Sequence, residues 1–125
     1  MIHEEICTYE VCKLAKEKGF DVQTFGWYDY TGNYHKGFIP HELHECPRYK
    51  EYYAPTQSLL QRWLREEKGV VVIPYFQSVL KRWSATYELL PPRHSKYAFI
   101  DLRKDFRTYE LALEDALKYA LESLV

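Results

Sequence analysis

Glycine is scarce in this chain, with five among 125 residues, and they stand singly at ends of apolar segments rather than in a Gly-rich phosphate loop or a G-x-S-x-G nucleophile elbow. No stretch approaches the roughly 20 apolar residues of a membrane span, and the opening MIHEEICTYE has no apolar segment of signal-peptide length. Net charge is also lacking: 17 Lys and Arg against 18 Asp and Glu leave −1, so no global field draws the chain to nucleic acid or to an anionic membrane. Cysteine is sparse and odd in number; Cys7, Cys12 and Cys46 suit free thiols in a reducing compartment better than a disulfide framework. These absences lower the expectation of an enzyme, imply no cofactor, and describe a cytoplasmic protein without membrane contact.

Aromatic residues are plentiful. Twelve Tyr, six Phe and three Trp supply ample apolar area, and the length suits one domain over residues 1–125. The segment TYEVCKLAKEKG predicts a helix capped by Thr8 and stopped at Gly19, with Val11, Cys12, Leu14 and Ala15 on its apolar face. FGWYDYTGNYHKGF places two aromatic runs around Thr31, Gly32 and Asn33, which predicts a β-hairpin. Residues 39–54 show neither period and predict a long connection with at most one helical turn. A second helix follows in PTQSLLQRWLREEKG, starting at Pro55 and Thr56, burying Leu59, Leu60, Trp63 and Leu64 and ending at Gly69. VVVIPYF and WSATYELL then predict a second hairpin, with Pro74 favouring a sheet edge for the first run. YAFIDL predicts a fifth strand. In TYELALEDALKYALESL, Leu113, Ala116, Leu117, Ala120, Leu121 and Leu124 fall on one helical stripe.

Helix, KG and hairpin thus occur twice, fifty residues apart, mostly through shared helix-start and helix-stop chemistry. The αββ-αββ(β)-α order predicts an α+β fold: three helices packed on one four- to five-stranded, mainly antiparallel sheet.

Four kinds of site suggest themselves. HELHEC at 41–46, with His35 upstream, offers His35, His41, His44 and Cys46 as metal ligands, but zinc sites usually present two close pairs and the pattern is not H-E-x-x-H. Cys46 lacks the signature of a nucleophile. Lys81, Arg82, Trp83, Arg93 and Lys96, in a basic aromatic segment 79–107, would bind single-stranded nucleic acid if one face presented them together. Trp27, Tyr28, Tyr30, Tyr49, Tyr52 and Tyr53, in FGWYDY and YKEYYA, would serve a protein interface, where such side chains combine contact area with a polar tip.

KEKGFD at 16–21, FGWYDY, APTQSLLQRWLREEKG followed by IPYF, and TYELALEDALKYALESL together carry a resemblance over most of the chain. They resemble a group of short, uncharacterised proteins of Bacteroides-type bacteria, often phage-related and found in prophage or other mobile-element surroundings. The resemblance implies an accessory protein in a bacterial cytoplasm and transfers no functional residue. The expectation is therefore a small interaction protein, binding a protein partner or itself as a homodimer through an edge strand such as VVVIPYF. Nucleic-acid binding is the alternative, and a metal-dependent hydrolase built on HELHEC comes last.

Overall fold

The computed structural model describes residues 3–44 and 50–125, without the side chains of Glu42 and His44. It is α+β, and by its internal contacts the chain divides into two compact units, Met1–Thr56 and Gln57–Val125.

In unit 1, helix α1 (Tyr9–Glu17) begins where the Thr8 hydroxyl accepts a hydrogen bond from the Val11 amide. That bond satisfies one of the four orphan amides of a helix start. Val11, Cys12 and Ala15 form its buried face, Leu14 is half-buried, and Gly19 leaves the helix at φ +100°. Cys7 and Cys12 are buried, and neither is in a disulfide. Strands β1 (Gly26–Tyr28) and β2 (Tyr34–Lys36) form the expected hairpin. A four-residue helix, α2 (His41–His44), is the helical turn expected in the connection. Strand β3 (Tyr52–Tyr53) then returns to β1, giving an antiparallel sheet of order β2-β1-β3. The Cys7 amide donates to the Pro55 carbonyl, and the Tyr28 hydroxyl to the Cys7 carbonyl, so the two ends of the unit are tied together.

In unit 2, helix α3 (Gln57–Lys68) runs directly through Gly69 into the hairpin β4 (Val70–Gln77) and β5 (Arg82–Leu89). Strand β6 (Ala98–Asp101) adds to β5, giving an antiparallel sheet of order β4-β5-β6. Helix α4 (Tyr109–Tyr119) is capped by Thr108, whose hydroxyl accepts from the Leu111 amide, and it continues into a π-helical turn, Ala120–Leu124. Both helices pack on β4, and α4 also packs on β5. Leu113, Ala116, Leu117, Ala120 and Leu121 are buried as their spacing predicts, while Leu124 is half-buried. A fully buried Leu contributes about 1.5–3 kcal/mol over an exposed one, so this stripe dominates the unit's apolar core. In α3, Leu60, Trp63 and Leu64 are buried, whereas Leu59 is half-buried and Gln57 takes the buried position at the helix start. The Gln57 amide donates to the Glu110 carbonyl and the Glu114 carboxylate at 2.9 Å each, so the two helix starts are linked by satisfied polar groups.

One expectation is corrected. The strands form two three-stranded sheets instead of one sheet of four or five. The cause is β3. Two tyrosines in a segment without strand periodicity fill the open edge of β1, so the first hairpin completes its own sheet without the second.

Candidate functional site

The site with the most chemistry lies on the β1–β2 hairpin of unit 1. Side chains alternate across a strand, and the register pairs Trp27 with His35 and with Tyr53, while Tyr28 pairs with Tyr34 and Tyr52. Trp27, His35 and Tyr53 therefore share one face, and Tyr28, Tyr34 and Tyr52 share the other. On that second face Tyr9 of α1 meets Tyr28 and Tyr52 edge to face, with ring centroids 5.6 Å apart in each case. Burial raises the Tyr52 hydroxyl pKa above its usual value. On the first face the Trp27 and His35 rings stack 4.4 Å apart, 19° from parallel.

The turn is organised by Asp29. Its Oδ1 accepts from the Thr31 amide at 2.9 Å, from the Thr31 hydroxyl, and from the Asn33 amide at 3.1 Å. Its Oδ2 lies 2.7 Å from His35 Nε2. The Thr31 hydroxyl and the His35 ring, ahead of the two amides, hold the Asp29 carboxyl well below its ordinary pKa, so it is ionised throughout the neutral range. Gly32, at φ +91°, takes the left-handed turn position, and Tyr9 packs so close that a Cβ there would lie 3.3 Å from its ring. Only glycine combines that backbone angle with that lack of bulk.

Trp27, Asp29, Tyr30, His35, Leu43, Lys50 and Glu51 line a cavity of about 250 Å³ beside this pair. Small-molecule sites generally take roughly 300–1,000 Å³. This one is the size of a single large side chain.

The structure distributes the sequence candidates unevenly. Among the interaction candidates, Trp27 and Tyr52 are buried, Tyr28 and Tyr53 half-buried, and Tyr30 is exposed; Tyr49 lies outside the described residues. FGWYDY is thus divided, with Trp27 buried and Phe25 and Tyr30 exposed, and Phe25 and Phe38, each over 60% exposed, meet edge to face at 5.2 Å. Of the metal candidates, His35 is engaged by Asp29 and His41 is exposed, while the His44 side chain and Cys46 lie outside the described residues. Among the described residues no three His, Cys, Asp or Glu side chains converge as a metal site.

The nucleic-acid candidates are not gathered on one face. Arg82 and Trp83 are consecutive in β5 and point to opposite faces. Trp83 spends its ring on Phe76 and Tyr109, both 5.3 Å away. Arg93 and Lys96 follow the far end of β5, roughly 23 Å from Arg82 at about 3.3 Å per residue. Reciprocal backbone hydrogen bonds between Trp83 and Phe106 instead place Arg107 opposite Arg82. Asp101 and Asp115 share that region, accepting from the Arg103 amide and the Lys104 ammonium.

Sequence reading misses Asp29, Leu43, Lys50 and Glu51. D-x-T-x-N, an Asx-type turn followed by a His on the return strand, is the signal that could have located Asp29. Leu43, Lys50 and Glu51 carry no local signal.

Among the described residues no helix is long and apolar enough to cross a membrane. No family model, curated protein or solved structure matches the chain.

Proposed function

We propose that this chain is a small interaction protein whose unit 1 pocket receives one large side chain of a partner protein, in keeping with the accessory role in a mobile element that the sequence likeness suggests. The cavity carries the reading. It is too small for most free ligands, it is walled by Trp27, Tyr30 and Leu43, and it is edged by Lys50 and Glu51. That arrangement fits the anatomy of an interface hot spot, an aromatic-lined recess with a charged rim. Panning a displayed random-peptide library against the full chain is expected to enrich peptides sharing one large apolar or aromatic residue. Leu43→Glu, which places a charge in the recess, should abolish their binding. Failure to enrich any peptide, or binding indifferent to Leu43→Glu, would refute the reading.

A second reading, single-stranded nucleic-acid binding, is favoured by the placement of Arg107 opposite Arg82, beside Lys81 in the chain. It is weakened by Asp101 and Asp115 in the same region. A labelled oligonucleotide should bind with strong salt dependence, and Lys81→Glu with Arg82→Glu should reduce both affinity and salt slope; no binding at low salt removes this reading. Self-association through β4 would have to accommodate Pro74, which sits mid-strand at the sheet edge and has no amide hydrogen to offer a neighbour.

A further inference from the structure

We propose that the unit 1 pocket selects an aromatic side chain ending in a hydrogen-bond donor, the phenol of a tyrosine. The inference rests on the reading of the cavity as a side-chain receptor and names what it receives. Two contacts hold the His35 ring: Trp27 stacks on it and Asp29 Oδ2 meets Nε2 at 2.7 Å. An ionised carboxylate can only accept, so this contact requires the proton on Nε2. A ring that carries its proton on Nε2 alone keeps a lone pair on Nδ1, and no hydrogen bond to Nδ1 is formed among the described residues.

Asp29 offers a ligand no more than the second lone pair of Oδ2. Oδ1 is taken by Thr31 and Asn33, and Oδ2 by His35. The acceptor of the pair that carries no hydrogen bond among the described residues is the imidazole Nδ1, in a tautomer fixed by its neighbour, as second-shell carboxylates fix histidines elsewhere. Among the described residues the remaining walls, Trp27, Tyr30 and Leu43, are aromatic or aliphatic, and the charges that line the cavity with them are Lys50 and Glu51. A ring with a hydroxyl donor satisfies both features at once. A phenylalanine ring would fill the same space and leave Nδ1 shielded from water without a partner, which sites of this kind penalise.

The test titrates the full chain with N-acetyl-tyrosinamide and with N-acetyl-phenylalaninamide, following amide and indole resonances by NMR. The tyrosine compound is expected to shift Trp27 and Leu43 and to bind roughly five- to tenfold tighter, the worth of one hydrogen bond. His35→Phe keeps a ring against Trp27 and removes the acceptor, so it should erase the preference and retain the phenylalanine compound. If His35→Phe does not fold, Asp29→Asn carries the comparison, since it no longer fixes the tautomer and should narrow the preference. Equal binding of the two compounds by the wild-type chain overturns the donor selectivity while leaving the receptor reading standing. Absence of shifts with both compounds overturns the two together. A tyrosine preference that survives His35→Phe overturns the assignment to His35.

Discussion

Asp29 shows how one short side chain can organise a turn and, through it, a pocket. Its carboxylate accepts from Thr31 and Asn33 and engages the ring that stacks on Trp27. The pH dependence follows from the direction of its shift. A carboxyl whose folded-state pKa lies below its ordinary 3.8 contributes stability above that value and loses it as pH falls further. The Thr31, Asn33 and His35 resonances are therefore expected to hold native positions at neutral pH and to drift toward unfolded values below about pH 4. In Asp29→Asn that acid transition should disappear from the turn. Ser84 presents the opposite situation. Its hydroxyl is buried in β5 with no hydrogen-bond partner among the described residues. An unsatisfied buried hydroxyl costs about 1–3 kcal/mol, and Ala is only a modestly poorer strand former. Ser84→Ala is thus expected to raise stability by about 1 kcal/mol in urea unfolding, against the usual direction for core substitutions.

At the scale of elements, helix ends repay close reading because capping is local chemistry. Thr8 and Thr108 both accept from the amide three residues on, and Gly19 and Gly69 both leave their helices at positive φ. Thr108→Ala is expected to destabilise α4 by about 1 kcal/mol, read as faster hydrogen exchange at Leu111 and its neighbours. The same locality made the α3 and α4 stripes and the two hairpins legible, down to Pro74 at an edge. Strand β3 was not legible, since Tyr52 and Tyr53 stand in a segment without alternation and become a strand only by pairing with Tyr28 and Trp27. The candidate pocket was half legible for a related reason. Residue types marked His35 and Trp27 as notable, but their stacking, and the reach of Asp29 to His35, depend on a register that the sequence does not spell out. The abundance of tyrosine did not tell which rings meet: Tyr9 packs edge to face on Tyr28 and on Tyr52, while Tyr30 is exposed.

At the scale of the whole molecule, two small units each complete a three-stranded sheet, and they do so with very different loop closures. In unit 2 the central pairing is a hairpin whose strands are joined by residues 78–81. In unit 1 the sheet waits for Tyr53 to return to Trp27, twenty-six residues away along the chain. Closing the longer loop costs more chain entropy before any contact repays it. The two-residue strand β3 therefore has a kinetic meaning. On refolding, pulse-labelled hydrogen exchange should find the amides of β4 and β5 protected before those of Tyr52 and Ala54, the residues of this segment that bond to β1, and simultaneous protection would contradict this order. During synthesis, the Trp27 strand would leave the ribosome with one flank unpaired until some thirty further residues had emerged, a vulnerable interval for a side chain that the finished protein keeps 6% exposed.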